Sequence, residues 1–85
     1  MKHATSTALR GLSDLLGQIR LKEGLSERKL GIFYRKSKSF LHFHEDPAGL
    51  FADLSIGADF TRFPVNTKRE RQALLSAIDQ ALGDR

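Results

Sequence analysis

The sequence predicts a two-layer α+β sandwich with the order helix, three- to four-stranded antiparallel sheet, helix. Apolar residues recur at helical spacing near both ends of the chain, and apolar and polar residues alternate between them. The length of 85 residues suffices for one small core. We therefore expect one domain over residues 1–85, with flexible termini at about 1–5 and 83–85, and both helices packed on the apolar face of the sheet.

The first helix is predicted from Ser6 to Lys22. Its apolar residues recur at steps of three and four, which places them on one helical stripe. They are Ala8, Leu9, Leu12, Leu15, Leu16 and Ile19. Gly24 is the expected stop, because glycine readily adopts the left-handed conformation that follows many helices.

Three antiparallel strands are predicted next, at about Lys29 to Arg35, Ser39 to Glu45 and Leu50 to Ile56. The first connection is Lys36-Ser37-Lys38. The second, Asp46-Pro47-Ala48-Gly49, has the residues that a type I turn prefers at its first, second and fourth positions. Both connections are short enough to join neighbouring strands directly.

The second turn fixes a register in which His42 pairs with Asp53 and Leu41 with Leu54. One face of the sheet is then apolar, and a tight turn at Ser37-Lys38 adds two residues of the first strand to it. That face carries Leu41, Phe43, Leu50, Ala52, Leu54, Ile32 and Tyr34. A slip of one residue would mix polar and apolar side chains, so the pattern favours this pairing.

A fourth strand is possible at Asp59 to Val65, where Pro64 restricts it to an edge or a loop because proline has no backbone N–H. Thr67 and Glu70 then have the spacing of a capping box, in which each side chain accepts a hydrogen bond from a backbone N–H of the first helical turn. The second helix is expected to run from this box to about Leu82.

The same register places aromatic and ionisable residues together on the other sheet face. They are Phe33, Phe40, His42, His44, Phe51 and Asp53. A contiguous group of this kind marks a contact surface, a small-molecule groove or a face covered from within the chain. The leading prediction is a non-enzymatic domain that self-associates, as a dimer, or binds a partner through this face.

Two imidazoles at His42 and His44 point the same way on one strand, and Asp53 lies across from His42. This trio has the donor types of a metal site with an open position. It also fits a general base with its orienting carboxylate, or a hydrogen bond that only fixes the tautomer of His42. Because the sequence offers no nucleophile motif, phosphate loop or dinucleotide fingerprint, we predict no enzyme activity and no cofactor.

Nucleic-acid binding is the main alternative function. The formal net charge is +4, and basic residues gather near the first hairpin and at the start of the second helix. The candidate residues are Arg35, Lys36, Lys38, Lys68, Arg69 and Arg71. A solvated charged face explains the same pattern without any ligand.

Other classes are excluded by composition. Without cysteine there is no disulfide framework, zinc ribbon or thiol nucleophile. No apolar segment reaches the length of a membrane span or of a signal sequence, so we expect a cytoplasmic protein without a membrane partner.

Residues Gly31 to Tyr34 and the stretch FLHFHEDPAGLFADL, Phe40 to Leu54, resemble a group of short uncharacterised bacterial proteins. Val65 and the helix from Thr67 to Leu82 occupy similar places in that group, which has no established activity to carry over. More distantly, the order of helix, hairpins and helix is similar to the MmcQ/YjbR-like proteins. That resemblance implies a double-wing fold and a DNA-binding role.

Overall fold

The computed structural model describes residues 2–57 and 59–83, and it confirms an α+β arrangement of helices and an antiparallel sheet. The elements are β1 Lys2–His3, α1 Ser6–Arg10, α2 Ser13–Arg20, β2 Ser26–Lys29, β3 Ile32–Arg35, β4 Lys38–Asp46, β5 Gly49–Ile56, β6 Asp59–Pro64 and α3 Lys68–Gly83. Five strands follow the order β2-β3-β4-β5-β6, and β1 also pairs with β4. Within the described ranges the strand count thus exceeds the expected three to four.

The prediction of one continuous first helix is wrong, because the segment forms two separate helices, α1 and α2. Thr5 begins α1 by accepting a hydrogen bond on Oγ1 from the N–H of Ala8, at 3.2 Å. The backbone leaves the helical conformation at Leu12, with φ −110° and ψ 18°, directly after Gly11. Glycine is a poor helix former, which lowers the cost of a break beside Gly11, although Gly17 lies inside α2 without one. Leu12 still lies in the core, at 1% exposure.

The predicted register of β4 and β5 is confirmed. His42 pairs with Asp53 and Leu41 with Leu54, on either side of the turn that begins at Asp46. The carboxylate of Asp46 accepts a hydrogen bond from the N–H of Ala48 at 2.9 Å, which is the local bond expected of aspartate at the start of a turn.

The predicted register of β3 and β4 is wrong. The two-residue turn consists of Lys36 and Ser37, both with positive φ, and not of Ser37 and Lys38, so Tyr34 pairs with Ser39 and not with Leu41. This change of two residues would by itself keep every side chain on its predicted face, but the register shifts by one more residue between Tyr34 and Phe33. Phe33 consequently pairs with Leu41 and points into the core, whereas Ile32 and Tyr34 lie on the opposite face, each the reverse of the prediction.

A β-bulge in β4 accounts for Phe40. Phe33 pairs with Leu41 and Tyr34 with Ser39, so Phe40 is an extra residue between the two pairs. A bulge turns two consecutive side chains to one face. Phe40 therefore joins Leu41 in the core, at 4% exposure, and the prediction that it lies on the opposite face is also wrong.

A second bulge lies in β2. Glu27 pairs with Phe33 and Lys29 with Ile32, which leaves Arg28 as the extra residue. Glu27 is directed to the helical layer, where it accepts hydrogen bonds from Arg20 of α2. Arg28 and Lys29 both lie on the other side of the sheet.

The core lies between the sheet and the helices. It comprises Leu9, Leu12, Leu15, Leu16, Ile19, Phe33, Phe40, Leu41, Phe43, Ala52, Leu54, Val65, Leu74, Leu75 and Ile78. We call the sheet face toward this core the inner face. None of the helices among the described residues is long and apolar enough to cross a membrane.

The segment after β5 agrees with the sequence-based expectation. β6 is an edge strand that ends at Pro64, and α3 begins with the predicted capping box. Thr67 Oγ1 accepts from the N–H of Glu70 at 3.1 Å, and Glu70 Oε1 accepts from the N–H of Thr67 at 3.0 Å. Asn66 fixes this helix start to the sheet by accepting from the N–H of Leu50 and donating to its carbonyl.

Candidate functional site

The candidate site lies on the sheet face that points away from the core. We call this the outer face. It consists of Arg28, Lys29, Ile32, Tyr34, Ser39, His42, His44, Phe51, Asp53, Phe60 and Arg62. Four of the six residues predicted for it are present, and the two phenylalanines in the core, Phe33 and Phe40, are not.

Three side chains converge at the centre of the outer face. His44 Nε2 lies 3.0 Å from Asp53 Oδ2 and 3.1 Å from His42 Nδ1. The candidate ligand atoms of His42, His44 and Asp53 all lie within 4.8 Å of one another. The side chains of His44 and Asp53 are only 13% and 12% exposed. The strand pairing explains the convergence, since His42 and His44 are two residues apart on β4 and Asp53 is directly opposite His42 on β5.

Hydrogen-bond chemistry assigns the proton at this centre. An ionised carboxylate only accepts hydrogen bonds, so the proton between His44 and Asp53 belongs to His44 Nε2. His42 Nδ1, 3.1 Å from the same nitrogen, is then an acceptor. The assignment comes from the hydrogen-bond network, which is the usual basis for choosing a histidine tautomer. One donor, His44 Nε2, and two acceptors, Asp53 Oδ2 and His42 Nδ1, therefore surround a single proton.

Arg62 is a fourth member of the site, which sequence reasoning missed. It pairs with Asp53 across β5 and β6, and its Nε and Nη2 donate to the two carboxylate oxygens at 2.9 and 3.1 Å. These hydrogen bonds hold the pKa of the Asp53 carboxyl below its usual value, although burial acts in the opposite direction. The sequence did contain a signal for Arg62. Had the proposed fourth strand been paired with β5, Arg62 would have been placed opposite Asp53.

Aromatic side chains border this centre on the outer face. The ring of Phe60 lies 4.8 Å from the ring of His42, centroid to centroid, and Phe60 is 47% exposed. Phe51 is half-buried beside His44, its partner in the ladder. Self-association through this face stays a prediction, now with Phe51 and Phe60 as its aromatic residues.

The predicted nucleic-acid residues are divided between the two ends of α3. Arg35 donates hydrogen bonds to the carbonyls of Ala81 and Leu82 in the last turn, at 3.1 and 3.4 Å. Lys36 and Lys38 belong to the same hairpin as Arg35 and are exposed. The second group, Lys68, Arg69 and Arg71, lies in the first turn of α3.

These two groups do not form one surface. The helical rise separates the first and last turns of α3 by about 20 Å. Within the second group, Arg71 Nε donates to the carbonyl of Val65 at 2.9 Å, so this cation is used in the fold. Nucleic-acid binding through both groups together would have to span the length of the helix.

The chain matches no family model, and comparison with curated proteins and with solved structures likewise gives no match. The resemblances based on the Phe40 to Leu54 stretch and on the YjbR-like order of elements stay predictions.

Proposed function

We propose that this domain binds a divalent transition-metal ion, such as Zn²⁺, through His42, His44 and Asp53. The observation that carries the proposal is the convergence of two imidazole nitrogens and one carboxylate oxygen within 4.8 Å. Two imidazoles and one carboxylate are a common ligand set for zinc and for non-haem iron.

The distances favour this assignment. Bonds of about 2.0 to 2.1 Å from zinc to its ligands imply that neighbouring ligand atoms of a tetrahedron lie about 3.3 Å apart. The two contacts of His44 Nε2, at 3.0 and 3.1 Å, are within a few tenths of an ångström of that separation. A small outward shift of side chains would therefore admit an ion where the His44 proton now lies.

The placement of the site also supports the proposal. All three residues come from β4 and β5, whose ladder has six consecutive residue pairs, so the ligands rest on regular backbone. The Asp53 carboxylate is ionised and held by Arg62, as metal-binding carboxylates are commonly held by a hydrogen-bond donor outside the ligand set. Three protein ligands leave at least one coordination position for water or an added ligand.

A competing explanation is that Arg62, Asp53 and the two imidazoles form only a hydrogen-bonded cluster. The two explanations differ in what happens when metal is added. A structural cluster gains no stability from zinc, whereas a site that binds zinc only in the folded state gains about 2.7 kcal/mol when free zinc is a hundred times the dissociation constant.

Titration of the purified protein with Zn²⁺ by calorimetry, and with Co²⁺ by visible absorption, tests the proposal. We expect one equivalent to bind and a chelator to reverse the gain in thermal stability. His44→Ala and Asp53→Asn should each weaken binding at least about tenfold, in line with the cost of disturbing a metal site. Asp59→Asn, which removes an exposed carboxylate from β6, is the matched control and should bind like the wild type.

Either of two results would contradict the proposal. One is the absence of binding at millimolar zinc. The other is equal binding by the wild type, His44→Ala and Asp53→Asn, which would locate the metal elsewhere on the chain. A third variant, His42→Gln, should keep the fold, because His42 is less buried than the core residues around the site. Weaker zinc binding by this variant would therefore reflect the loss of a ligand and not misfolding.

A further inference from the structure

A shallow depression adjoins the proposed metal site on the outer face, on the side of His42 toward β2 and β3. Its volume is about 420 Å³, within the range of small-molecule sites. It is lined by Arg28, Lys29, Ile32, Tyr34, Ser39 and His42. The six lining residues include two permanent cations and two hydroxyl groups, and none of the six is acidic.

The two β-bulges create this lining. In a regular β2, Arg28 and Lys29 would point to opposite faces, but the bulge at Arg28 brings both to the outer face. In β4, the bulge that sends Phe40 inward turns Ser39 outward. Two of the six lining residues, Lys29 and Ser39, thus reach the depression because the strands depart from regular pairing.

Two features favour an anion in the depression. One cation, Arg28, is held in place by an aromatic ring, and the neighbouring acidic residue, Glu27, does not neutralise the positive charge. The Arg28 guanidinium carbon lies 4.6 Å from the centroid of the Tyr34 ring, a cation–π contact that restricts where this long side chain can go. Glu27, the neighbouring carboxylate in sequence, is turned to the helical layer, where it accepts from Arg20 and from the N–H of Gly31. The positive charge of the depression therefore faces solvent.

From these contacts we propose that the depression binds a phosphate group, either inorganic phosphate or a small phosphate monoester, next to the metal. An arginine fork and a lysine match the charge and geometry of a phosphate dianion, and the hydroxyls of Tyr34 and Ser39 add hydrogen-bond donors. Ile32 supplies an apolar wall for the organic part of an ester. This inference rests on the proposed metal-binding function, because it names the ligand that the metal-loaded face recruits.

His42 couples the two sites, since it lines the depression and also supplies Nδ1 to the metal group. A divalent ion bound to His42 adds positive charge one side chain away from the phosphate. Metal binding should therefore raise phosphate affinity, and phosphate should raise metal affinity by the same factor, because coupling between two ligands is reciprocal.

The test is a titration with inorganic phosphate and with phenyl phosphate, followed by backbone amide shifts in nuclear magnetic resonance, without metal and with one equivalent of Zn²⁺. We expect shifts at Arg28, Tyr34 and Ser39, and affinity several-fold tighter with zinc. Tighter binding of phenyl phosphate identifies an ester as the ligand, and equal binding identifies the free ion. Arg28→Gln should weaken phosphate binding with and without zinc, whereas Arg69→Gln, which removes an exposed cation from α3, should leave it unchanged.

The possible failures are distinguishable. If zinc binds but phosphate affinity does not change with zinc, or if Arg69→Gln loses as much affinity as Arg28→Gln, the phosphate site is wrong and the metal site stands. If zinc itself does not bind, the proposed function and this inference are both overturned. Arg28 and Arg69 are both exposed, so neither variant is expected to unfold the protein.

Discussion

Arg62 and Asp53 face each other across the β5–β6 ladder, and the guanidinium donates to both carboxylate oxygens. On its other side the same carboxylate contacts His44 Nε2, at 3.0 Å. Asp53 is therefore shared between a cation that the fold always supplies and the position at which we propose a metal ion. The guanidinium holds the Asp53 carboxylate in position and also repels a divalent ion. Metal affinity at Asp53 therefore depends on both effects of Arg62.

Replacing Arg62 by methionine should weaken zinc binding about tenfold, because the guanidinium holds the Asp53 carboxylate in position from outside the ligand set. Its repulsion of a divalent ion acts in the opposite direction but is screened by solvent, since the Arg62 side chain is 51% exposed. Competition with a chelating dye measures the change. Arg69→Met is the control, and unchanged or tighter zinc binding by Arg62→Met would show that Arg62 does not orient Asp53 for the metal.

The corrected register predicts which phenylalanines stabilise the fold. Phe40→Ala should lower the free energy of unfolding by about 3 to 5 kcal/mol, because it removes a buried ring from the core. Phe60→Ala should cost less than about 1 kcal/mol, since that ring is half exposed on an edge strand. Urea denaturation of both variants compares them, and equal losses would place Phe40 outside the core.

The sequence indicated the fold class and the centre of the candidate site, because both depend on patterns that read directly from residue types. The His42–Asp53 pairing followed from one turn with typical turn residues. The position of Phe40 did not follow, because an extra residue in a strand leaves no mark on composition and reverses the alternation on which face assignments rest. The turn at Lys36 and Ser37 was missed for a related reason, since neither residue is the glycine or asparagine that usually signals positive φ.

That turn also predicts a stabilising substitution. Lys36 and Ser37 adopt φ values of 52° and 68°, which cost most residues other than glycine and asparagine energy. Lys36→Asn with Ser37→Gly should therefore raise the free energy of unfolding by about 1 kcal/mol. The control is Ser76→Gly on an exposed position of α3, which should lower it by about 0.5 to 1 kcal/mol. Thermal denaturation of both variants would reveal the opposite signs, and destabilisation by the turn variant would refute the argument.

The ion pair of Arg20 and Glu27 predicts a pH dependence of stability. The hydrogen bonds from Arg20 hold the pKa of Glu27 below its usual value of 4.5. Because the folded pKa is the lower one, this contribution is present above the pKa of the unfolded chain and is lost as the pH falls through the folded value. Glu27→Gln should cost up to about 1 kcal/mol at pH 7, after allowance for solvent screening, and progressively less below pH 4.5.

Urea denaturation at pH 7 and at acid pH measures that dependence. Glu23→Gln changes an exposed carboxylate near the end of α2 and is the matched control, with little effect expected at either pH. A cost for Glu27→Gln that stays constant from neutral to acid pH would mean that the charge of Glu27 contributes nothing.

The two bulges divide single-residue deletions between β2 and β4 into two classes. Side-chain direction in a strand has a period of two, so deleting a regularly paired residue reverses the direction of every side chain on one side of the change until the next turn. Arg28 and Phe40 are the extra residues of their bulges, so deleting either one leaves regular pairing without any reversal. Deleting Phe40 would therefore remove a buried ring but keep Ser39 and His42 on the outer face, whereas deleting Phe43 would turn His42 and His44 to opposite faces of the sheet.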